Sequence, residues 1–382
     1  MHCGLWRAAL LAIALAGAEG CSREGVLPPG DGGPAPARNP GDYLWSVPLV
    51  GQGLASFDDS SAFFLGRNHE VLAVDKRSGR ERWRRTIGAP GGATLGFGTV
   101  VAGPNVVVTD VDLWAFDRRT GAPAWRVGLP GVVLAQSNPT AHGDTVFGGS
   151  SNGQFVAIDA RTGATIWRVQ PISGDTNVAY DPVYARGRVF GCLSSDWTSV
   201  LVALASATGT VLWERPLRVR RPLRTSRCLG NVAVGGGLVI VTAMDDGYVL
   251  AVDELTGTER WRAPHVVRDD LGDTRFAAVV GSIVVLGSSF GTIVGLDLAT
   301  GAERWRMNTQ RGSATDPLVA DDSLVFITHA GGHLAAVRAS TGEVAWRACG
   351  GFGTPGQCTY TAAVDTDRLY HTGFEVAYAI KK

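Results

Sequence analysis

The sequence predicts an all-β protein, an eight-bladed β-propeller with four-stranded antiparallel blades whose ring is closed by the N-terminal strand joining the C-terminal blade. Two observations support this fold. A glycine is followed four residues later by a tryptophan seven times, at intervals of 41–48 residues, and several strand-like runs occupy each interval. The pairs are Gly79/Trp83, Gly121/Trp125, Gly163/Trp167, Gly209/Trp213, Gly257/Trp261, Gly301/Trp305 and Gly342/Trp346.

Each repeat carries the pattern Ala-x-Asp-x-x-x-Gly-x-x-x-Trp, which predicts a hairpin. In the first copy Asp75 and Gly79 suit a tight turn, because a carboxylate accepts backbone N–H bonds and glycine accepts positive φ. Trp83 ends the following strand, where its large ring can fill the gap between neighbouring sheets. Three copies depart from the pattern, with Ala205 or Arg338 in place of the aspartate and Gly295 in place of the alanine.

Two further strands precede each hairpin. In the last full repeat they are residues 316–320 and 324–328, separated by a polar turn. Four strands in 40–50 residues are typical of a propeller blade, and no window shows sustained helical periodicity.

The two termini together supply one more blade. Residues 43–47, which include Trp45, form a single strand-like run, whereas the C-terminus supplies runs at 360–364, 368–373 and 375–380. We therefore expect residues 43–50 to pair with 375–381, which brings the count to eight and removes the open edges of the array. The structural tryptophans are then Trp45, Trp83, Trp125, Trp167, Trp213, Trp261, Trp305 and Trp346.

The tryptophan motif over residues 42–382 resembles the quinoprotein-like, or pyrroloquinoline quinone (PQQ), repeat family, which implies eight blades. A seven-bladed WD-type propeller is the alternative, but the Trp-Asp dipeptide is missing from the strand ends. The family also contains PQQ-dependent dehydrogenases, which resemble one another in an adjacent cysteine pair that this chain lacks.

The N-terminus predicts export. Residues 1–20 have a basic residue and an apolar stretch too short to span a bilayer, which is typical of a signal peptide. Cys21 follows a segment resembling a bacterial lipobox, so we expect it to be lipidated; ordinary signal cleavage nearby is the alternative. Residues 21–41 form a Pro/Gly-rich tether, and Ser22 implies sorting to the periplasmic face of the outer membrane.

Export makes disulfides plausible among the cysteines of the propeller. Cys349 and Cys358 flank a Gly-rich loop, whereas Cys192 and Cys228 map to the same rim of the ring. The expected pairs are therefore 192–228 and 349–358, with four buried free thiols as the alternative.

The sequence predicts no catalytic, metal-binding or cofactor-binding residues. His329 and His333 lie at a hairpin tip, and the acid pairs at 58/59, 245/246 and 321/322 fall where turns are expected. The formal net charge of zero also argues against a generic nucleic-acid binder.

Arginines are concentrated between Trp213 and the next blade. Six of them, with Glu214 as the only acid, occupy an expected inter-blade loop: Arg215, Arg218, Arg220, Arg221, Arg224 and Arg227. The next inter-blade loop, at 265–275, is acidic in its middle. The two loops either pair with each other in solvent or form a rim patch that docks a partner by charge complementarity.

These loops resemble those of the BamB family of outer-membrane lipoproteins, which bind the periplasmic POTRA domains of BamA. Leu223-Arg224 and Leu271-Gly272-Asp273 occupy the corresponding positions, whereas Arg221 and Arg275 depart from the family pattern. The resemblance implies a partner-binding set of Arg218, Arg220, Arg221, Leu223, Arg224, Asp270, Leu271 and Asp273.

The sequence therefore predicts a monomeric, non-enzymatic scaffold that binds protein partners through its inter-blade loops and touches the membrane only through a lipid anchor. A PQQ-dependent dehydrogenase and a polysaccharide- or ligand-binding propeller are the alternatives.

Overall fold

A computed structural model of the protein describes residues 39–51, 53–88, 98–109, 112–128, 138–172, 178–179, 181–194, 199–217, 232–243, 248–264, 274–288, 291–309, 319–328, 333–349, 363–373 and 375–382. Every helix or strand element among these residues is a β-strand. No helix in this described part is long and apolar enough to cross a membrane.

The first half of the chain forms blades 1–4 and contributes one strand to blade 8. Its strands are β1 (Tyr43–Pro48), β2 (Ser56–Phe57), β3 (Ser61–Gly66), β4 (Glu70–Asp75), β5 (Glu81–Thr86), β6 (Gly98–Ala102), β7 (Asn105–Thr109), β8 (Leu113–Asp117), β9 (Pro123–Val127), β10 (Thr140–His142), β11 (Thr145–Gly149), β12 (Phe155–Asp159), β13 (Thr165–Val169), β14 (Val178–Ala179), β15 (Val183–Ala185), β16 (Arg188–Ser194), β17 (Ser199–Ala205) and β18 (Val211–Leu217).

The second half forms blades 5–7 and most of blade 8. Its strands are β19 (Ala233–Gly235), β20 (Leu238–Ala243), β21 (Tyr248–Asp253), β22 (Glu259–Pro264), β23 (Thr274–Val280), β24 (Ile283–Ser288), β25 (Thr292–Asp297), β26 (Glu303–Asn308), β27 (Val319–Ala320), β28 (Leu324–Thr328), β29 (Leu334–Arg338), β30 (Val344–Ala348), β31 (Ala363–Val364), β32 (Arg368–Thr372) and β33 (Val376–Lys381).

These strands form eight antiparallel sheets, so the predicted eight-bladed propeller is confirmed. Consecutive strands pair in order within each blade, and the first strands of successive blades contact one another around the centre of the ring. In blade 4 the inner strand is split into β14 and β15, which both pair with β16. Pro182 lies at the break, where its missing N–H cannot join the sheet.

Ring closure also agrees with the expectation from the sequence. β1 pairs with β33, with Trp45 opposite Ala379 and Pro48 opposite Val376. Gly41 contributes too, because its N–H donates to the carbonyl of Lys381 at 2.8 Å. The contacts of the ring thus begin one residue before the predicted domain boundary at residue 42.

The core lies between the blades. Eight clusters of buried apolar side chains each join two neighbouring sheets, and each contains one repeat tryptophan or packs against it. The cluster between blades 3 and 4, for example, contains Phe155, Trp167 and Leu193. Because both faces of every sheet are covered, the second and third strands are apolar along most of their length.

Each tryptophan reaches into the turn of the following blade. The indole N–H of Trp167 donates to the carbonyl of Ser206 at 2.8 Å, and a Cβ added to Gly209 would lie 2.8 Å from the indole ring. Seven indoles make this hydrogen bond, at 2.7–3.2 Å, to the residue three before the turn glycine. Position 209 therefore requires glycine for two reasons: a Cβ would clash with the indole of Trp167, and the backbone φ is +72°.

An eighth Gly/Trp pair, which was not predicted from the sequence, lies at the N-terminal strand. Gly41 lies four residues before Trp45, and the ring of Trp346 approaches Gly41 to 3.3 Å from a Cβ built there. The contact that joins the blades therefore also joins blade 7 to the N-terminal strand, and it continues around the whole ring.

Every outermost strand has a β-bulge directly before its tryptophan. In blade 3, Ala157 pairs with Trp167 and Ile158 with Thr165, so that Ile166 is left without a partner across the sheet. The residues at this bulge position are Leu44, Arg82, Ala124, Ile166, Leu212, Arg260, Arg304 and Ala345.

Removing β1 should destabilise the ring. A chain that begins at Gly51 lacks both Gly41 and Trp45 and leaves one edge of β33 unpaired, so it should unfold at a lower temperature than a chain beginning at Asn39. Thermal unfolding followed by circular dichroism measures this. Equal unfolding temperatures would show that the ring does not depend on the pairing of the termini.

Substitutions at Trp167 and Gly209 should have strongly coupled effects on the free energy of unfolding. Trp167→Ala should lower the free energy of unfolding by about 3–5 kcal/mol, as large core truncations do. Gly209→Ala should cost more than Gly187→Ala, because Gly187 also has positive φ (+78°) but has no atom within 4 Å of an added Cβ.

In the Trp167→Ala background the extra cost of Gly209→Ala should disappear, leaving only the strain of positive φ. Urea unfolding of the two single variants and the double variant gives the coupling energy. Additive losses would mean that the indole does not set the requirement for glycine.

Candidate functional site

The predicted partner-binding residues belong to the two segments of the chain that follow β18 and β22. Residues 218–231 follow β18 and residues 265–273 follow β22, and both segments, with all eight predicted interface residues, fall outside the described residues. The strand ends that lead into them belong to neighbouring blades, 4 and 5. Leu217, the last residue of β18, is buried in the cluster between these blades and fixes the base of the first loop.

An ion pair joins β18 and β22, the outermost strands of blades 4 and 5. Arg215 of β18 donates to Glu259 of β22 at 2.7 Å, and Arg262 donates to the same carboxylate at 2.9 Å. These hydrogen bonds and charges, that of Arg262 above all, lower the pKa of Glu259. Arg215, the first of the six arginines in the basic stretch, is therefore neutralised by the next blade and does not add to a free positive patch.

A second ion pair joins blades 4 and 5 at the turn between β21 and β22. The guanidinium of Arg186 makes two hydrogen bonds to Glu254, whose side chain is only 2% exposed; the Nε–Oε1 distance is 2.9 Å. The carbonyl of Glu254 also accepts the indole N–H of Trp213 at 3.1 Å. Two ion pairs thus join blades 4 and 5, and one of them holds Arg215, two residues before the end of β18.

Other blade pairs use the same position after the turn aspartate. Lys76 contacts Asp365 at 2.8 Å, and Arg118 contacts Asp58 at 3.6 Å, in each case across a blade boundary. These pairs could not be predicted from the sequence, because the residue at this position differs in charge and size from blade to blade and its partner is set by the ring.

The inner strands carry a partly buried carboxylate, that of Asp181. Both of its oxygens accept hydrogen bonds from Asn138 of blade 3, from the backbone N–H at 2.6 Å and from the side-chain amide at 2.7 Å. Burial raises the pKa of Asp181 despite these two bonds. The arrangement joins the inner strands of blades 3 and 4 and gives both oxygens a structural role.

The acid pairs predicted to lie in turns do so where the structure describes them. Asp58 and Asp321 each begin the turn between the first and second strands of their blade, where Asp58 accepts the N–H groups of Ser60 and Ser61 at 2.8 and 2.7 Å. Residues 245 and 246 lie outside the described part of the chain.

The histidines and cysteines form no metal site within the described ranges, where no group of three or more metal-ligating side chains occurs. His333 lies near the carbonyl of Cys349, with Nδ1 at 3.3 Å, whereas His329 is not among the described residues. Cys192 and Cys349 are both disulfide-bonded. Their predicted partners, Cys228 and Cys358, are outside the described residues, so the pairing stays a prediction, as does lipidation of Cys21.

His371 is a fully buried titratable group between blades 7 and 8. The Nδ1–H donates to the carbonyl of Thr372 at 2.9 Å, and Nε2 accepts from the hydroxyl of Thr328 at 3.2 Å. Burial lowers the pKa of His371 to about 4. The side chain is therefore neutral near pH 7 and has no access to solvent, which excludes it as an exposed binding residue.

The buried His371 should make the fold sensitive to acid. In the unfolded chain the imidazole has a pKa of about 6.5, so below that pH the unfolded state takes up a proton that the folded state does not accept until about pH 4. The free energy of unfolding should therefore fall as the pH drops through this window, by roughly 3 kcal/mol from this group.

Urea unfolding near pH 7 and near pH 4 measures the fall, in the natural chain and in His371→Gln. The substitution should remove about that part of the fall, whereas His142→Gln, at an exposed ring, serves as the control. An unchanged pH dependence in His371→Gln would show that another group causes it.

Comparisons with known proteins agree with the repeat pattern and the fold. The family model for outer membrane protein assembly factor BamB matches residues 35–190, 109–264 and 245–370. Relatives of that name from Burkholderia pseudomallei and Bordetella pertussis are 28% and 26% identical over 237 and 208 residues, or 58% and 53% of this chain. These regions cover 58% and 50% of the relatives, so the chain matches only about half of their length.

Solved structures share the architecture. BamB from Moraxella catarrhalis superposes with a TM-score of 0.69 at 20% identity, over 89% of this chain and 97% of that one. A quinohemoprotein alcohol dehydrogenase from Comamonas testosteroni has the same TM-score at 14% identity, over 89% and 76% of the two chains. At these identities the likeness shows the fold alone. The family model, in contrast, matches nearly the whole propeller, and the chain therefore belongs to the family of outer membrane protein assembly factor BamB.

Proposed function

We propose that the protein is a non-enzymatic scaffold in the assembly of outer-membrane proteins, which binds protein partners through the loops that follow β18 and β22. It acts as a monomer at the periplasmic face of the outer membrane, where a lipid on Cys21 and the tether at residues 21–41 hold it. It needs no cofactor and binds no nucleic acid.

The match of the family model along residues 35–370 is the observation that carries this proposal. The relatives are named outer membrane protein assembly factors, and the match covers both blades from which the two loops extend. The fold that this chain shares with a quinohemoprotein dehydrogenase does not imply the same catalytic activity, because one fold supports many functions.

The geometry of blades 4 and 5 supports binding through these loops. Arg215–Glu259 and Arg186–Glu254 join the two blades, and Leu217 is buried between them, so the loop after β18 extends from a base that moves little. Binding residues on loops lose least affinity when the scaffold beneath them is rigid.

Charge indicates the chemistry of the partner. Glu259 neutralises Arg215, whereas Arg218, Arg220, Arg221 and Arg224 follow with no acid among them. Asp270 and Asp273 of the next loop can offset part of this charge, but exposed ion pairs contribute only ~0–1 kcal/mol each. We infer a partner with an acidic surface, and the POTRA domains of a BamA-type protein are the proposed one.

Reversing two of these charges should abolish partner capture without loss of stability. Arg221→Glu/Arg224→Glu places acids where an acidic partner docks, so capture of purified POTRA domains should fall while the unfolding temperature stays within a degree or two. Capture by the natural chain should also weaken with salt, because the screening length is only ~8 Å at physiological ionic strength.

Surface plasmon resonance at low and high salt measures both effects. Arg77→Glu/Arg80→Glu, in the turn of blade 1, is the matched control for a double charge reversal elsewhere on the ring. Capture that survives both the loop substitutions and high salt would show that the loop is a solvated segment that does not bind the partner.

A further inference from the structure

The large hydrophobic side chains that are exposed among the described residues all lie in three consecutive blades. Ile166 of blade 3 is 46% exposed, Leu212 of blade 4 is 45% exposed, and Leu255 in the turn of blade 5 is 60% exposed. We name these three residues the outer arc. Clustered exposed apolar side chains mark interaction sites more often than scattered ones do.

The tryptophan contacts relate the members of the outer arc from one blade to the next. Ile166 precedes Trp167, whose indole is bound to Ser206 in the turn that leads into the strand of Leu212. Leu212 precedes Trp213, whose indole is bound to Glu254, the residue directly before Leu255. The outer arc therefore follows the circumference of the ring across two blade boundaries.

The same bulge position is charged in other blades. Arg82, Arg260 and Arg304 occupy it in blades 1, 5 and 6, and each donates to the turn aspartate of its own blade at 2.7 Å. These hydrogen bonds help to lower the pKa of Asp253 and Asp297 to about 2. Blades 3 and 4 have Ile166 and Leu212 instead, and residues 162–166 and 205–212 contain no charged side chain.

Nothing in the packing of the propeller requires these apolar residues. The bulge leaves Ile166 and Leu212 without a cross-strand partner, and an arginine fits the same backbone in three other blades. Exposed Ile and Leu on an outermost strand also increase the risk of aggregation. A bound partner explains them better than folding does.

The backbone of the arc is poorly suited to strand addition. The bulge interrupts each outer strand next to its tryptophan, and Pro216 and Pro264 remove N–H groups from β18 and β22. A partner must therefore dock through side chains. Burying a charge against an uncharged surface is costly, so the facing side chains must be apolar and uncharged.

Most of the positive charges close to the arc along the chain are already paired. Arg161 contacts Asp144 at 2.8 Å, Arg215 contacts Glu259 at 2.7 Å and Arg260 contacts Asp253 at 2.7 Å, whereas Arg168 donates to the amide of Gln154. The arc thus offers little attraction to an anionic lipid surface or a nucleic acid, and it favours a protein.

We propose that the outer arc is a second contact for the partner bound by the arginine-rich loop, and that this partner is a folded domain with an uncharged apolar surface beside an acidic one. The inference rests on the proposed function. β18 connects the two contacts, since Leu212 lies near its start and the loop begins after Leu217. Five residues of strand span about 17 Å, which is shorter than the width of an interface that buries about 800 Å² per partner.

The test uses the full chain and purified POTRA domains of the source organism's BamA-type protein. The variant Ile166→Thr/Leu212→Thr/Leu255→Thr removes the apolar surface without changing charge, and threonine suits exposed strand positions. Leu44→Thr, at the bulge position of blade 8, is the matched control. Isothermal titration calorimetry should show about 100-fold weaker binding for the triple variant, which equals about 2.8 kcal/mol at 1.4 kcal/mol per tenfold change.

The loss should persist at high salt, whereas the loss caused by Arg221→Glu/Arg224→Glu should depend on salt. Natural affinity in the triple variant would overturn the outer arc as a contact and leave the proposed function standing. If the natural chain itself does not bind the domains, both proposals fail. Sedimentation that shows a dimer of the natural chain but not of the triple variant would assign the arc to a second copy and overturn the inference.

Discussion

The fold depends on one contact, in which a tryptophan at the end of each blade lies on the turn glycine of the next. The indole needs both a hydrogen-bond acceptor and a surface without a Cβ, and the turn supplies them three residues apart, as Ser206 and Gly209 do for Trp167. Because each blade both gives and receives this contact, no blade buries its core alone. The eighth instance, between Trp346 and Gly41, extends the same physics to the join between the termini.

Ion pairs form a second and different layer of organisation. The tryptophan contact recurs in every blade, whereas pairs such as Lys76–Asp365 and Arg186–Glu254 join particular blades. An exposed pair contributes ~0–1 kcal/mol and a buried tryptophan several times more, so the ion pairs do not hold the ring together. They fix individual boundaries, and the boundary between blades 4 and 5, which carries two, is the one at which the loop after β18 connects two blades.

The fold could be predicted because its determinants are local and repeated, whereas the site could be predicted only in part. Seven Gly/Trp pairs stand out at a regular interval, but Gly41 is hidden in a Pro/Gly-rich segment and lacks the preceding Ala-x-Asp. Arg215 seemed part of a free basic stretch because Glu259, which neutralises it, lies 44 residues away. The exposure of Ile166 and Leu212 has no signal in the sequence, because only the bulge at the outermost strand, seen in the structure, explains it.

A repeat protein of this kind separates stability from recognition. Wherever the tryptophan contact is kept, the neighbouring positions are free to change, and the bulge position shows this most clearly. The turn of blade 3 keeps Asp159 with its bonds to Thr162, yet the arginine that completes this turn in blades 1, 5 and 6 is replaced by Ile166. The substitution gains no buried contact that would offset its exposure. On the proposal made above, departures that leave the ring intact and expose apolar side chains are the positions through which this propeller binds partners, and among the described residues they gather on blades 3–5.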